Sequence, residues 1–251
     1  MQSKVLRIYP KGKVLSGLNN LSLAAELTFI IDLMTKYTIS LGFLVFLTLT
    51  VISCGPEQLS FEEALRGSLN AEVNPFGRAP LAGRIRLRTN EPATAEVTVL
   101  GSIPHSRSIE GLNEIHNLPV LGLYPGRNNR VVVKLTMENG NTVSDTISMR
   151  TKALPEFFPE IEIVKAERSK MEPGYNALEY LVGNQGKFLS YTILFDDEGQ
   201  VRWYMDMSEA GQITYSSMRG ANGTWLYLSW VDLWELSDLG ETVKKEQFWN
   251  Y

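Results

Sequence analysis

His105 and His116 are the only histidines in 251 residues, and Cys54 is the only cysteine. Imidazole and thiol are the side chains best suited to proton transfer, covalent catalysis and zinc ligation near neutral pH, so this scarcity narrows the chemistry before any motif is sought. His105 falls in the polar run Gly101–Gly111, which reads as an exposed loop, and His116 falls in a strand-like segment, where a structural hydrogen bond is the expected role. Asp196-Asp-Glu198 puts three hard oxygen ligands side by side, but calcium loops space their ligands alternately, and a hairpin turn fits better. Trp203, Tyr204, Trp225, Tyr227, Trp230, Trp234 and Trp249 form an aromatic set. It suits either a stacking platform for a sugar or phenol or, as we favour, the filling between packed sheets. Arg84, Arg86 and Arg88 alternate on one face of a strand, a pattern of a solvated face that leaves room for contact with a neighbouring domain or partner. Phosphate-cradling glycine loops, zinc spacings and Ser/His/Asp arrangements do not occur. The residues themselves nominate no catalytic side chain, no metal ligand and no cofactor.

Cys54 has a context of its own. From Tyr37 to Pro56 no residue is charged, Met34-Thr-Lys36 supplies a short basic start, and Val51-Ile-Ser precedes the cysteine where the apolar run stops. The run is short for a membrane span and has the layout of an export signal. It looks like a bacterial lipobox, which implies lipidation of Cys54, removal of the preceding peptide and a lipid anchor in the membrane as the chain's first partner. Two or more acyl chains, at about 0.8 kcal/mol per buried methylene, hold a domain to a bilayer durably. The competing reading makes Cys54 an ordinary residue near the end of a transmembrane anchor. Gly55 stands where an inner-membrane retention signal would place aspartate, so the expected location is the bacterial cell envelope, at the outer membrane. Glu26 and Asp32 interrupt the apolar stretch before Met34, so residues 1–33 read as an untranslated or disordered extension, 34–53 as a signal peptide and 54–72 as a tether. Without residues 1–53 the chain carries 19 basic and 26 acidic side chains. That acidic balance argues against nucleic-acid binding.

Beyond the tether the pattern is β throughout. Leu81, Gly83, Ile85, Leu87 and Thr89 alternate with the arginines, Asn90-Glu-Pro92 reads as a turn, and Ala95–Leu100, Ile115–Leu123, Asn129–Met137 and Thr142–Thr151 read as further strands. Glu138-Asn-Gly140-Asn is a hairpin signal. Residues 73–152 therefore form an immunoglobulin- or fibronectin-like β-sandwich. After Leu154-Pro-Glu-Phe-Phe-Pro159 the turns Asp197-Glu-Gly199 and Asp238-Leu-Gly240 recur about 40 residues apart, the period of a propeller blade. Residues 153–251 supply about two blades of an incomplete β-propeller, with a small open sheet packed on the sandwich as the alternative. The fold class is all-β.

Asn74-Pro-Phe-Gly77, His116-Asn-Leu-Pro119 leading to Leu121-Gly-Leu-Tyr-Pro-Gly126, Asn129-Arg-Val-Val-Val133 and Leu194-Phe-Asp-Asp-Glu-Gly-Gln-Val-Arg-Trp-Tyr204 together resemble the bacterial arylsulfate sulfotransferases. The resemblance runs from Asn74 to the C-terminus. It implies an exported protein with an N-terminal sandwich and a six-bladed propeller, moving a sulfuryl group from a phenolic sulfate to a phenol through a sulfated histidine. It also implies that the nucleophilic histidine and its helpers come from blades beyond Tyr251, so none is carried over to His105 or His116. The expectation is a fragment or interrupted reading frame, inactive as it stands, with phenolic sulfates and phenols as partners of the full-length relative only. The other reading is a non-catalytic envelope module that binds a glycan or a protein.

Overall fold

The computed structural model describes residues 59–167, 170–184, 187–208 and 214–248. Cys54, the apolar run before it and Trp249 lie outside the described residues. Among the described residues no helix is long and apolar enough to cross a membrane.

Five strands make the first sheet: β1 (Asn70–Val73), β2 (Gly83–Val99), β3 (His105–Val120), β4 (Asn128–Met137) and β5 (Thr142–Arg150). All neighbours are antiparallel. One edge of β2 pairs with β3, while its other edge takes β1 along its first half and β4 along its second, with β5 outside β4. Alternation decides which side chains point inward, since successive residues of a strand face opposite ways. Ile85, Leu87, Val97, Val99, Val131, Val133 and Leu135 are all buried on one face. Each fully buried aliphatic side chain contributes about 1.5–3 kcal/mol.

Two sequence expectations change here. Asn90-Glu-Pro92 is not a turn: β2 runs through it, and its register against β3 shifts between Arg88 and Ala93. Proline has no N–H for the ladder, and a bulge accommodates it by leaving extra residues unpaired and bending the strand. Nor is Gly101–Gly111 a loop, because β3 begins at His105. Its first seven residues are largely exposed on an outer edge, so they lack the apolar alternation that announces a strand.

The stretch read as a tether also takes part. Ser60 and Glu63 form a reciprocal capping box on the short helix α1 (Phe61–Ala64), and Phe61 and Ala64 are buried against the sheet. Glu72 of β1 pairs with Arg84 at 2.6 Å and with Arg86 at 3.5 Å, so the basic stripe is partly matched across the strand pair.

The bend rolls the sheet until the β2–β3 hairpin tip meets the segment after β3. Tyr124 Oη donates to the Ile103 carbonyl at 3.1 Å and accepts from the Ile103 N–H at 3.2 Å. Gly122, at φ 79°, lies so close to His105 that a Cβ there would stand 3.1 Å from the His105 Cβ. Only glycine meets both conditions without strain.

Two antiparallel meanders follow. The first contains β6 (Asn176–Asn184), β7 (Lys187–Phe195) and β8 (Val201–Asp206); the second contains β9 (Thr214–Arg219), β10 (Trp225–Ser229), β11 (Asp232–Leu236) and β12 (Thr242–Gln247). Their turns are built alike. Asp196 Oδ1 accepts the N–H groups of Glu198 and Gln200, and Ser237 Oγ those of Leu239 and Glu241. Gly199 and Gly240 occupy the left-handed positions at φ 76° and 84°. The two meanders thus repeat one unit, as blades do. Trp203 stacks on Trp225 with centroids 5.0 Å apart, and Met205, Met207, Tyr227 and Leu236 complete the cluster between the sheets, joined by Ala79 and Ala82 of the β1–β2 loop. The chain is therefore an all-β immunoglobulin-like domain followed by a partial propeller.

Arg202 of β8 joins the two parts. Its side chain is fully buried. Its Nε and Nη2 donate to the Gly122 carbonyl at 3.1 and 2.9 Å, and Nη1 donates to the Ile103 carbonyl at 2.8 Å and to Asp196 Oδ2 at 2.9 Å. The Arg202 and Arg127 guanidinium carbons lie 3.8 and 3.7 Å from the Tyr124 ring centroid, so the ring sits between two cations.

Truncating Arg202 leaves Asp196 buried and unpaired, so Arg202→Met is expected to lower stability by about 3–5 kcal/mol, read as a fall in the urea midpoint. Arg202→Lys fails similarly because an ammonium cannot span the fork of acceptors. A midpoint within error of the parent in both variants contradicts the assignment. His116 is buried on β3 with Nε2 without a partner, and burial, outweighing an opposing effect of the Asn113 main chain, pulls its pKa below 6.5. The unfolded chain therefore takes up a proton that the folded chain refuses. Stability should be full above about pH 6.5 and decline as pH falls toward the folded-state value. His116→Leu should flatten that decline in urea titrations at several pH values; an unchanged slope counts against it.

Candidate functional site

Where β3 leaves the hairpin tip, the rolled sheet, the segment before β6 and both meanders border an open cavity of about 430 Å³. The β3 end contributes His105, Ser106 and Arg107; the following segment contributes Leu121 and Gly122; Tyr175, Leu194 and Trp203 come from the first meander and its approach, and Arg219, Trp225 and Asp238 from the second. No two of these groups of residues are neighbours in sequence. The Arg202 tie brings them together, since it holds Gly122 and Ile103 against the turn at Asp196.

Asp238 organises the cationic side. Arg219 pairs with it through two nitrogens, Trp225 Nε1 donates to its Oδ1 at 3.1 Å, and Arg107 approaches its Oδ2 at 3.7 Å. The Asp238 carbonyl accepts the Trp203 indole N–H at 2.8 Å. The Arg219 guanidinium also lies 4.9 Å from the Trp225 centroid. One carboxylate is thus shared between two guanidinium groups, and the cavity has a net single positive charge.

His105 faces this cavity, half-buried and 5.3 Å from the Tyr175 ring. This corrects the expectation of an exposed loop histidine: the rolled sheet carries it to the blades. Burial, then the charges of Arg202 and Arg107, pull its pKa down, so at neutral pH its imidazole is uncharged. Burial likewise raises the Tyr175 hydroxyl above its usual range. The arrangement can hold an anion against Arg107 and offer it a neutral imidazole; His116 lies in the sheet interior and takes no part.

The other singled-out residues do structural work. Asp196 spends one oxygen on turn N–H groups and the other on Arg202, which leaves Asp196-Asp-Glu198 a turn. Among the described residues no group of three or more His, Cys, Asp or Glu side chains could hold a metal. Trp203, Trp225 and Tyr227 fill the space between sheets, Tyr204 packs edge-on against Tyr191 and Phe158, Trp234 lies beside Lys245 and Arg78, and Trp230 is exposed. Sequence reasoning missed Arg107, Tyr175, Arg202, Arg219 and the carboxylate of Asp238. Only Arg202 carries a local signal, as a charge inside the otherwise apolar run Val201-Arg-Trp-Tyr-Met205, where a buried partner is required.

Comparison with known proteins places this geometry in a family. Residues 70–152 match the arylsulfotransferase Ig-like domain, and residues 160–251 match arylsulfotransferase (ASST). The arylsulfate sulfotransferase AssT of Lelliottia amnigena is 27% identical over 204 aligned residues, covering 64% of this chain and 34% of that relative. The chain thus spans about a third of the length of that curated relative. With both matches following one another along a sandwich and the sheets after it, the chain belongs to the arylsulfotransferase family.

Proposed function

We propose that the chain is the N-terminal part of an exported, lipid-anchored arylsulfotransferase whose sulfuryl transfer takes place on blades outside this sequence. The observation that carries the reading is the order of the two family matches, Ig-like domain first and transferase domain second, on a fold of the same order. In the proposed reaction an imidazole nitrogen attacks the sulfur of a phenolic sulfate and the phenolate departs. The acceptor phenol then gives up a proton, which balances the one taken up by the departed phenolate, and its oxygen attacks the sulfur of the sulfated imidazole, breaking the N–S bond and regenerating the histidine. Such a step needs a nucleophilic imidazole and fixed donors for the sulfuryl oxygens. His116 is buried in the sheet, and His105 sits beside Arg107 and Arg219 in the junction cavity. The role assigned to this chain is to fold the sandwich, seat the first blades on it through Arg202, and hold the enzyme at the cell envelope through Cys54, at the outer membrane.

Two experiments test the reading. Incubated with 4-nitrophenyl sulfate and a phenol acceptor, this chain is expected to release no nitrophenolate, whereas the same chain continued by histidine-bearing blades should release it. Release by the chain alone that disappears in His105→Asn would move the chemistry to the junction cavity and overturn the assignment. Intact-mass measurement of the protein extracted from membranes with detergent should find the mature chain starting at an acylated Cys54. A mature terminus elsewhere, or an unmodified cysteine, would remove the anchor from the proposal.

A further inference from the structure

We propose that the junction cavity is a binding site for a small organic monoanion, an oxyanion carried on an aromatic ring, with Arg107 pairing with the oxyanion. Its volume of about 430 Å³ falls within the range of roughly 300–1,000 Å³ found for small-molecule sites. Three charges line it, and they do not cancel. Asp238 is occupied by two nitrogens of Arg219 and by the Trp225 indole, so its charge is committed on that side. Arg107 reaches the same carboxylate only at 3.7 Å, its side chain is 45% exposed, and Asp238 is its one ion-pair partner among the described residues. Its planar fork therefore keeps N–H donors for a carboxylate or sulfate-type group.

The remaining groups set the class of ligand. Arg202, just behind the cavity, is fully buried, paired with Asp196, and gives three further N–H groups to the Gly122 and Ile103 carbonyls, so it is not presented to a ligand. His105, held neutral, adds a polar contact without a second charge to match. A monoanion balances this site, while a dianion leaves one charge uncompensated in a partly desolvated space. Leu121, Leu194 and Trp203 supply the apolar wall. Tyr175 and the Arg219–Trp225 pair favour a ring over an alkyl body, because aromatic and guanidinium faces gain from contact with π electrons. The site is separate from the blades to which sulfuryl transfer is assigned above, so its failure would leave that assignment standing.

Titration of the chain with benzoate, followed by the fluorescence of the cavity tryptophans, tests the inference. Saturable binding is expected. Arg107→Gln, at an exposed side chain with one loose contact, should keep the parent urea midpoint yet weaken benzoate by about tenfold or more, the usual worth of a charge-assisted pair. Neutral benzamide should bind at least about tenfold more weakly than benzoate. The proposal is overturned if benzoate shows no saturation, if Arg107→Gln binds it as tightly as the parent, or if benzamide binds as well.

Discussion

A guanidinium group has been taken wholly out of water at the junction of the sandwich and the first blade, and the arrangement of everything around it follows from what that requires. Arg202 cannot shed its proton, so its burial is tolerable only where fixed acceptors surround it. The Gly122 and Ile103 carbonyls and Asp196 meet that demand from three separate segments. Each acceptor has its own support. Tyr124 holds Ile103 through both its N–H and its carbonyl, Gly122 adopts a backbone angle that no larger residue would accept cheaply, and Asp196 is fixed by the turn whose N–H groups it receives. The sandwich and the blade are therefore positioned by hydrogen-bond geometry, which is directional, as well as by apolar packing, which is not.

The consequences reach the cavity. By pulling the hairpin tip onto the Gly122 segment, the tie delivers His105 and Arg107 to a wall otherwise made by the blades. By standing close to His105, the Arg202 charge helps keep the imidazole neutral. Asp238 plays the matching part on the other side, steering Arg219 over Trp225 while its main-chain carbonyl fixes Trp203. A turn residue in the second blade and a strand residue in the first thus determine the charge and shape of one space. The family likeness explains why a sandwich precedes propeller sheets here, but the cavity has to be understood from these contacts.

Much of the architecture could be read along the chain. The inward residues at the start of β2, Ile85 and Leu87, announce themselves by strict alternation with Arg84, Arg86 and Arg88, because a half-buried strand must put every second side chain in the core. The turns at Gly199 and Gly240 announce the blade repeat, because the left-handed positions they fill favour glycine. What failed was legibility at the edges. Pro92 looks like a turn and is a bulge, and His105–Gly111 looks like a loop and is a strand, since a bulge and an exposed edge both suppress the apolar period.

The residue order by itself determined the all-β class, the division into sandwich and blades and the family, since these depend on local periodicity, turn chemistry and short motifs. The tertiary structure alone decided that Arg202 is the joint, that His105 turns toward the blades and that Arg107, Arg219 and Asp238 share one cavity. Arg107 lies more than a hundred residues from Arg219 and Asp238, and Arg202 lies 80 residues from Gly122; pairings over such distances are set by how a sheet rolls and which buried charge must find acceptors, neither of which leaves a mark in any local stretch of chain.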